Sequence, residues 1–267
     1  MNLAEKYGPW AAIAGASEGV GRAIARALAA AGIPSVLLAR REAPLAALRD
    51  EIRADYGVEC AIATVDMSAP DACERIADAV GAREIGLFVN NAGSDTNGSR
   101  FLDRDVEAWA ELVQRNVVTM MRCAHHFAAP MRARGKGGLL LVNSGACYGG
   151  AGFLATYSAS KAFMLCFAEG LWSELRPHGV DVLTIALGQT DTPAYRTLLT
   201  EKGLPFPTNW AAPEDVARVA LERLPHGPIQ NWGLEDDVVG YAISSAAMRR
   251  ERVLMIDKAS RSTFGDS

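Results

Sequence analysis

Trp10-Ala11-Ala12-Ile13-Ala14-Gly15-Ala16-Ser17-Glu18-Gly19-Val20-Gly21 is the stretch that decides the fold. Five apolar residues run into three glycines spaced Gly-x-x-x-Gly-x-Gly. Val20, Ile24 and Leu28 then recur at four-residue steps until Gly32-Ile33-Pro34. That order reads as a strand, a tight turn and an amphipathic helix stopped by Gly and Pro. Glycines at a helix start remove the side chains that would hold a phosphate off the backbone. They also leave free N–H groups and the positive end of the helix dipole facing it. A plain turn is the alternative. The position between strand and helix favours a dinucleotide pyrophosphate site built from Gly15, Ser17, Glu18, Gly19, Val20 and Gly21.

Outward from this unit, short aliphatic runs keep alternating with helical periods. Strands are expected near 10–14, 35–39, 60–65, 85–90, 138–143 and 180–186, with a weaker seventh after Gly227. Helices are expected over 43–56, 70–80, 104–133, 155–176 and 213–223. The alternation predicts an α/β fold: a doubly wound parallel sheet of about seven strands with helices on both faces. No linker or composition shift divides it, so one domain is expected. The segment from Pro193 to Pro213 breaks the rhythm, with Pro205 and Pro207 around Phe206 and with Leu198, Leu199, Leu204 and Trp210 nearby. An apolar loop of that length is usually functional, and residues 190–212 are expected to form a substrate lid. The tail from about Trp232, with Val238, Val239, Tyr241 and Ile243 near Arg249-Arg250-Glu251-Arg252, reads either as a lid helix or as a subunit contact.

Composition narrows the function classes. A net charge of −4 without a basic block argues against nucleic acid and for a small-molecule ligand. No apolar run approaches a membrane span, and the opening Met1-Asn2-Leu3-Ala4-Glu5-Lys6 lacks a hydrophobic signal core, so a cytoplasmic location is expected. The five cysteines (Cys60, Cys73, Cys123, Cys147, Cys166) contain no Cys-x-x-Cys pair and fit reduced thiols. His125 and His126 are sequence neighbours on a helix and point apart, so no metal site is expected.

Two further clusters carry chemistry. A dinucleotide site for NAD usually has an acid at the end of the second strand; this chain has Arg40 and Arg41 there. Guanidinium forks suit a 2′-phosphate, so NADP(H) is the expected cofactor. Glu18 and Glu42, either able to reach a ribose hydroxyl or neutralise an arginine, keep NAD(H) as the alternative. Downstream, Tyr157-Ser158-Ala159-Ser160-Lys161 places a lysine four residues after a tyrosine, on the same helical face. A neighbouring ammonium favours the phenolate and draws the phenol toward a useful proton-transfer range.

With the glycine loop, Asn90-Asn91-Ala92-Gly93, Asn116, Ser144 and Tyr157 to Lys161 in this order, the chain resembles the short-chain dehydrogenase/reductase family over about residues 8 to 222. The resemblance implies a Rossmann-like fold and a catalytic tetrad of Asn116, Ser144, Tyr157 and Lys161. Tyr157 would be the general acid/base. Lys161 would tune it and grip the nicotinamide ribose, and Ser144 would hydrogen-bond the substrate oxygen. Asn116 would hold a water linking the lysine to solvent. It further implies that Asp66, followed by Met67, contacts the adenine, with a helix N-cap as the plain alternative. Asn91, Ala92 and Gly93 would let the cofactor pass the sheet edge. Gly188, Thr190 and Thr192 would meet the nicotinamide. In the last group Leu187 stands where the family has proline, so this loop is expected to be freer. Long helices near 104–133 and 155–176 imply a homodimer or homotetramer.

Together these readings predict an NADP(H)-preferring oxidoreductase acting on a hydrophobic ketone or secondary alcohol, with Tyr148, Phe153 and Leu154 facing the lid across the substrate. An NADP(H)-binding sensor without turnover is the alternative from another class. An epimerase or dehydratase of nucleotide sugars is less favoured, because such relatives carry a larger C-terminal domain than the roughly 45 residues that follow the last predicted helix.

Overall fold

The computed structural model describes residues 2–94, 98–150, 153–232, 248 and 250. Seven strands are present: β1 (Trp10–Ala14), β2 (Ser35–Ala39), β3 (Cys60–Thr64), β4 (Ile85–Asn90), β5 (Gly137–Ser144), β6 (Val180–Leu187) and β7 (Ile229–Asn231). They pair in the order β3-β2-β1-β4-β5-β6-β7, every pair parallel. Between them lie helices α1 (Leu3–Tyr7), α2 (Gly19–Ala30), α3 (Glu42–Tyr56), α4 (Ala72–Val80), α5 (Val106–Val113), α6 (Met120–Arg134), α7 (Ala155–Leu175), α8 (Pro193–Glu201) and α9 (Pro213–Arg223).

Parallel strands need crossover helices, and those helices bury both faces of the sheet. Alternate residues of one strand therefore enter different cores. Ala11 and Ile13 of β1 join Leu37, Leu87 and Val89 beneath α2, α3 and α9, through Ile24, Leu28, Leu48, Ile52 and Val216. Ala12 and Ala14 join Val36, Leu38 and Phe88 beneath α4, α6 and α7, through Ile76, Phe127 and Met164. This double burial is why the strands read as continuous apolar runs.

The sequence expectations differ from the structure at three places. The single helix expected over 104–133 is three pieces, with a π-helical segment at Gln114–Thr119 between α5 and α6. Gln114–Thr119 holds no Gly or Pro, so no helix-breaking residue marks the π-helical turn in the sequence. The first half of the segment read as a loop, 193–213, is α8, started by the Thr192 hydroxyl accepting from Tyr195 N at 3.3 Å with Pro193 in the first turn. Short α1 was not anticipated. The C-terminal readings at Val238, Val239, Tyr241, Ile243, Arg249, Glu251 and Arg252 lie outside the described residues. Among the described residues no helix is long and apolar enough to cross a membrane, and no His/Cys/Asp/Glu group is placed to hold a metal.

Leu28 is fully buried between α2 and the sheet, whereas Leu102 is 89% exposed. Leu28→Ala is expected to cost roughly 2–5 kcal/mol in equilibrium urea unfolding. Leu102→Ala should change stability by no more than about 0.5 kcal/mol.

Candidate active site

The strand order reverses between β1 and β4, and ligands of open parallel sheets bind at the carboxyl ends of the strands at such a point. Here Gly15 directly follows β1 and Asn91 directly follows β4. Asn91 Nδ2 donates to Gly15 O at 2.8 Å, and Asn91 N donates to Ala14 O at 2.9 Å. A Cβ at Gly21 would lie 2.1 Å from Gly15 O and 2.6 Å from Asn91 Nδ2. Gly15 has φ +82°, and a Cβ there would lie 2.7 Å from Ala92 N. Both positions therefore require glycine. Glu18 is the N-cap of α2 and makes no side-chain capping bond, which leaves the first-turn N–H groups for an anion. Gly15, Ser17, Glu18, Gly19 and Val20 line the main cavity, of about 1170 Å³. A backbone cradle closed to side chains and open to a phosphate fits a dinucleotide.

A smaller cavity of about 170 Å³ opens beside the loop between Ala39, Arg40, Val65, Met67, Ala92 and Arg115. Arg40 lines both cavities. Arg41 lines the smaller cavity only and ion-pairs with Glu18. Asp66 Oδ1 accepts from Ser68 N at 2.9 Å and from Ser68 Oγ at 2.7 Å. Burial pushes the Asp66 carboxyl upward, but the two Ser68 donors together with the Arg40 and Arg115 charges outweigh it and hold the group below the usual carboxylate range. Asp66 is not the cap of the next helix; Asp71 occupies the α4 N-cap position.

The expected tetrad converges at the other end of the main cavity. Ser144 ends β5 and Tyr157 and Lys161 lie on α7, all three lining the cavity. Ser144 Oγ accepts from Ala146 N at 3.2 Å, so its lone pair caps the following turn while the O–H proton is available to a ligand. Lys161 is 2% exposed; its Nζ donates to Val142 O at 3.1 Å and lies 5.7 Å from the Tyr157 ring centroid. Burial lowers its pKa to about 8, with Cys147 opposing the shift and Arg115 adding to it. At neutral pH the amine is still mainly cationic.

Asn116 sits behind these groups in the π-helical segment, completely buried. Its Nδ2 donates to Ser160 Oγ at 3.1 Å, and Ser160 Oγ donates to Tyr157 O at 2.7 Å. Its Oδ1 has no partner among the described residues. A Cβ built on Gly93 would stand 3.2 Å from that oxygen and 3.4 Å from Lys161 Nζ. An unsatisfied acceptor and a three-donor ammonium thus border one small space, the arrangement a bridging polar group needs.

The loop after β6 completes the wall with Leu187, Gly188, Thr190 and Thr192. It was expected to be free because Leu187 replaces a proline, yet backbone bonds tie it down. Ala211 N donates to Gln189 O and Asp191 N to Ala211 O, each at 2.9 Å. Thr192 also packs on the glycine loop, since a Cβ at Gly19 would lie 2.8 Å from Thr192 Cγ2. Beyond it Asp191 holds Arg196 by a two-toothed ion pair at 2.5 and 2.6 Å, and the guanidinium lies over Trp210 at 4.7 Å and Phe206 at 5.4 Å. On the facing wall, Tyr148 and Leu154 line the cavity. Phe153 is not on that wall; its ring packs under Arg100 at 5.2 Å.

Sequence reasoning missed Ser160, Val142 and Arg115. A backbone carbonyl such as that of Val142 leaves no signal in sequence. Ser160, adjacent to Lys161, could have been found as the helix-interior serine nearest the pair.

A family model described as short chain dehydrogenase matches residues 9–203. A 7beta-hydroxysteroid dehydrogenase of Collinsella aerofaciens is 37% identical over 194 residues, 73% of each chain. One from Mediterraneibacter gnavus is 33% identical over 226 residues, 84% of this chain and 86% of the other. Among solved structures, a 7beta-hydroxysteroid dehydrogenase superposes with TM-score 0.83 at 31% identity, covering 95% of this chain and 99% of that one. A Sphingobium yanoikuyae short-chain dehydrogenase in complex with NADPH gives 0.77 at 25% identity over 97% and 96%.

The depressed Lys161 pKa has a measurable consequence. Between about pH 8 and the ordinary lysine value the unfolded chain holds more protons on this group than the folded chain does, so its contribution makes stability rise with pH across that window. Lys161→Met should remove this rising component from unfolding free energies measured on the cofactor-free protein from pH 7.5 to 10.5. An unchanged slope would contradict the assignment.

Proposed function

The chain belongs to the short-chain dehydrogenase/reductase family, and from that premise we propose an NADP(H)-preferring oxidoreductase that interconverts a hydrophobic, steroid-sized ketone and its secondary alcohol. As a member of that family it is an NAD(P)-dependent enzyme, which sets aside the sensor alternative. The observation that carries the finer reading is a single cavity lined both by the glycine loop and by Ser144, Tyr157 and Lys161. When bound, the nicotinamide supplies or accepts the hydride.

The chain's own residues would do the rest. Tyr157 gives its phenolic proton to the carbonyl oxygen in reduction and takes the alcohol proton in oxidation. The Lys161 ammonium near its ring favours the phenolate, and the Ser144 hydroxyl donates to the same oxygen as charge develops there. Asn116 Oδ1 and Lys161 Nζ border a shared space from which the Tyr157 proton can be restored. Asn116 and Ser160 hold the tyrosine backbone in place. Gly15 to Gly21, Asn91, Ala92 and Gly93 seat the dinucleotide, with Asp66 and Met67 at its adenine and Gly188, Thr190 and Thr192 at its nicotinamide.

The preference for NADP(H) rests on Arg40, which lines both cavities and forms no ion pair among the described residues. The NADPH complex of the Sphingobium relative supports it. α8 and the Phe206–Trp210 cluster form the substrate lid, and the steroid scale follows the hydroxysteroid dehydrogenase relatives.

Steady-state kinetics with NADPH, NADH and a panel of steroidal and aromatic ketones tests both parts. Tyr157→Phe should lower kcat by roughly 100-fold or more. Arg40→Ala should raise the KM for NADPH at least about tenfold while changing that for NADH little. Full activity in the first variant, or parallel losses with both cofactors in the second, would refute the corresponding role.

Exposed Val113, Met121 and Phe163 of the α5–α7 region would form the contact of a homodimer or homotetramer. Sedimentation analysis should give more than one protomer, and Phe163→Glu should shift the distribution toward monomer.

A further inference from the structure

α8 faces the main cavity with Ala194, Thr197, Leu198 and Glu201. The spacing i, i+3, i+4, i+7 is one helical stripe, so these four residues form a continuous strip of wall. Three are apolar or neutral, and the fourth is a carboxylate. The strip starts beside the glycine loop, where Thr192 meets Gly19, and a rise of 1.5 Å per residue puts Glu201 about 10 Å further along the helix than Ala194.

The charges on the cavity wall are few among the described residues: Glu18, Arg40, Lys161 and Glu201. Glu18 is paired with Arg41 at the glycine loop, Arg40 serves the same end, and Lys161 is buried behind Tyr157. Arg196, the cation of α8 nearest the strip, is held by Asp191 and covered by Phe206 and Trp210. Lys202 follows Glu201 but is not on the wall. Glu201, exposed to solvent at the C-terminal end of α8, therefore lines the cavity with no ion pair among the described residues. A second carboxylate brought into that space would meet a like charge, screened by solvent and salt, while a neutral ligand would meet an acceptor that can take a hydroxyl hydrogen bond.

We propose that Glu201 is a specificity-determining residue, a charge filter that admits neutral or hydroxyl-bearing ketones and rejects those whose remote end carries a carboxylate. The proposal rests on the reading of this cavity as a ketone site and adds the electrostatic class of the substrate. Hydride transfer and proton transfer are unaltered by it, because the filter acts on the end of the molecule away from the reacting carbonyl.

The test pairs a steroidal ketone bearing a side-chain carboxylate with its methyl ester, so that one skeleton is presented with and without the charge. For the native protein with NADPH, kcat/KM and the dissociation constant should both favour the ester by roughly 3- to 10-fold at low ionic strength, and the gap should narrow in 0.5 M salt. Glu201→Gln should close most of the gap and Glu201→Lys should reverse it, with unfolding midpoints close to native. Discrimination in binding that is absent in the native protein, or that is unmoved by both substitutions, overturns the filter whether or not turnover occurs. Binding that discriminates as described without turnover of either compound would leave the filter standing and overturn the ketone-reductase reading instead.

Discussion

The structure depends on one close approach at the point where the sheet reverses its order. Asn91, leaving β4, donates its side-chain amide to the carbonyl of Gly15, leaving β1, while Gly21 passes so near both that a methyl group would overlap them. Two segments 76 residues apart in sequence are thereby brought within hydrogen-bonding distance. The consequence is geometric: the first turn of α2 is aimed across the ends of the strands, its N–H groups unspent, and the whole cavity is laid out from that fixed end.

The Lys161 end of the cavity is organised differently, by buried polar bonds rather than by steric closeness. Lys161 would be costly to bury without a partner, and Val142 O, at the end of β5, supplies one. Asn143 Nδ2 donates to Lys161 O at 3.2 Å, and the Asn116–Ser160–Tyr157 chain fixes the same helix from the other side. These bonds leave two groups under-used, the Asn116 carbonyl oxygen and the lysine ammonium, both beside Gly93. Polar capacity left unsatisfied in an interior is expensive, and it is placed where chemistry can draw on it.

Specificity is a matter of which charges are already spoken for. Arg41 is held by Glu18 and Arg196 by Asp191, so the two carboxylates remove two cations from contention. What remains on the wall without an ion pair among the described residues is Arg40 beside the glycine loop, buried Lys161 and Glu201 at the end of α8.

The residue order already contained the strand–glycine–helix unit, the seven-strand alternation and the placing of Tyr157 and Lys161 on one helix. Each of these is a local pattern: apolar period, turn chemistry, or a pair four residues apart on one helix. The order did not contain the π-helical segment in which Asn116 is buried, because Gln114–Thr119 holds no Gly or Pro to mark a break in the helix. It also missed the helix at Pro193–Glu201, which its own Pro193 and the nearby Pro205 and Pro207 make resemble a loop until Thr192 is seen capping it. Nor could it show that Leu187 is followed by a pinned loop, since the bonds to Ala211 join residues 20 and 22 positions apart in sequence. Local chemistry is written along the chain and can be read there. The partners of Asn116 and Arg41 arise only when distant segments meet, because burial and electrostatic pairing are properties of the folded arrangement.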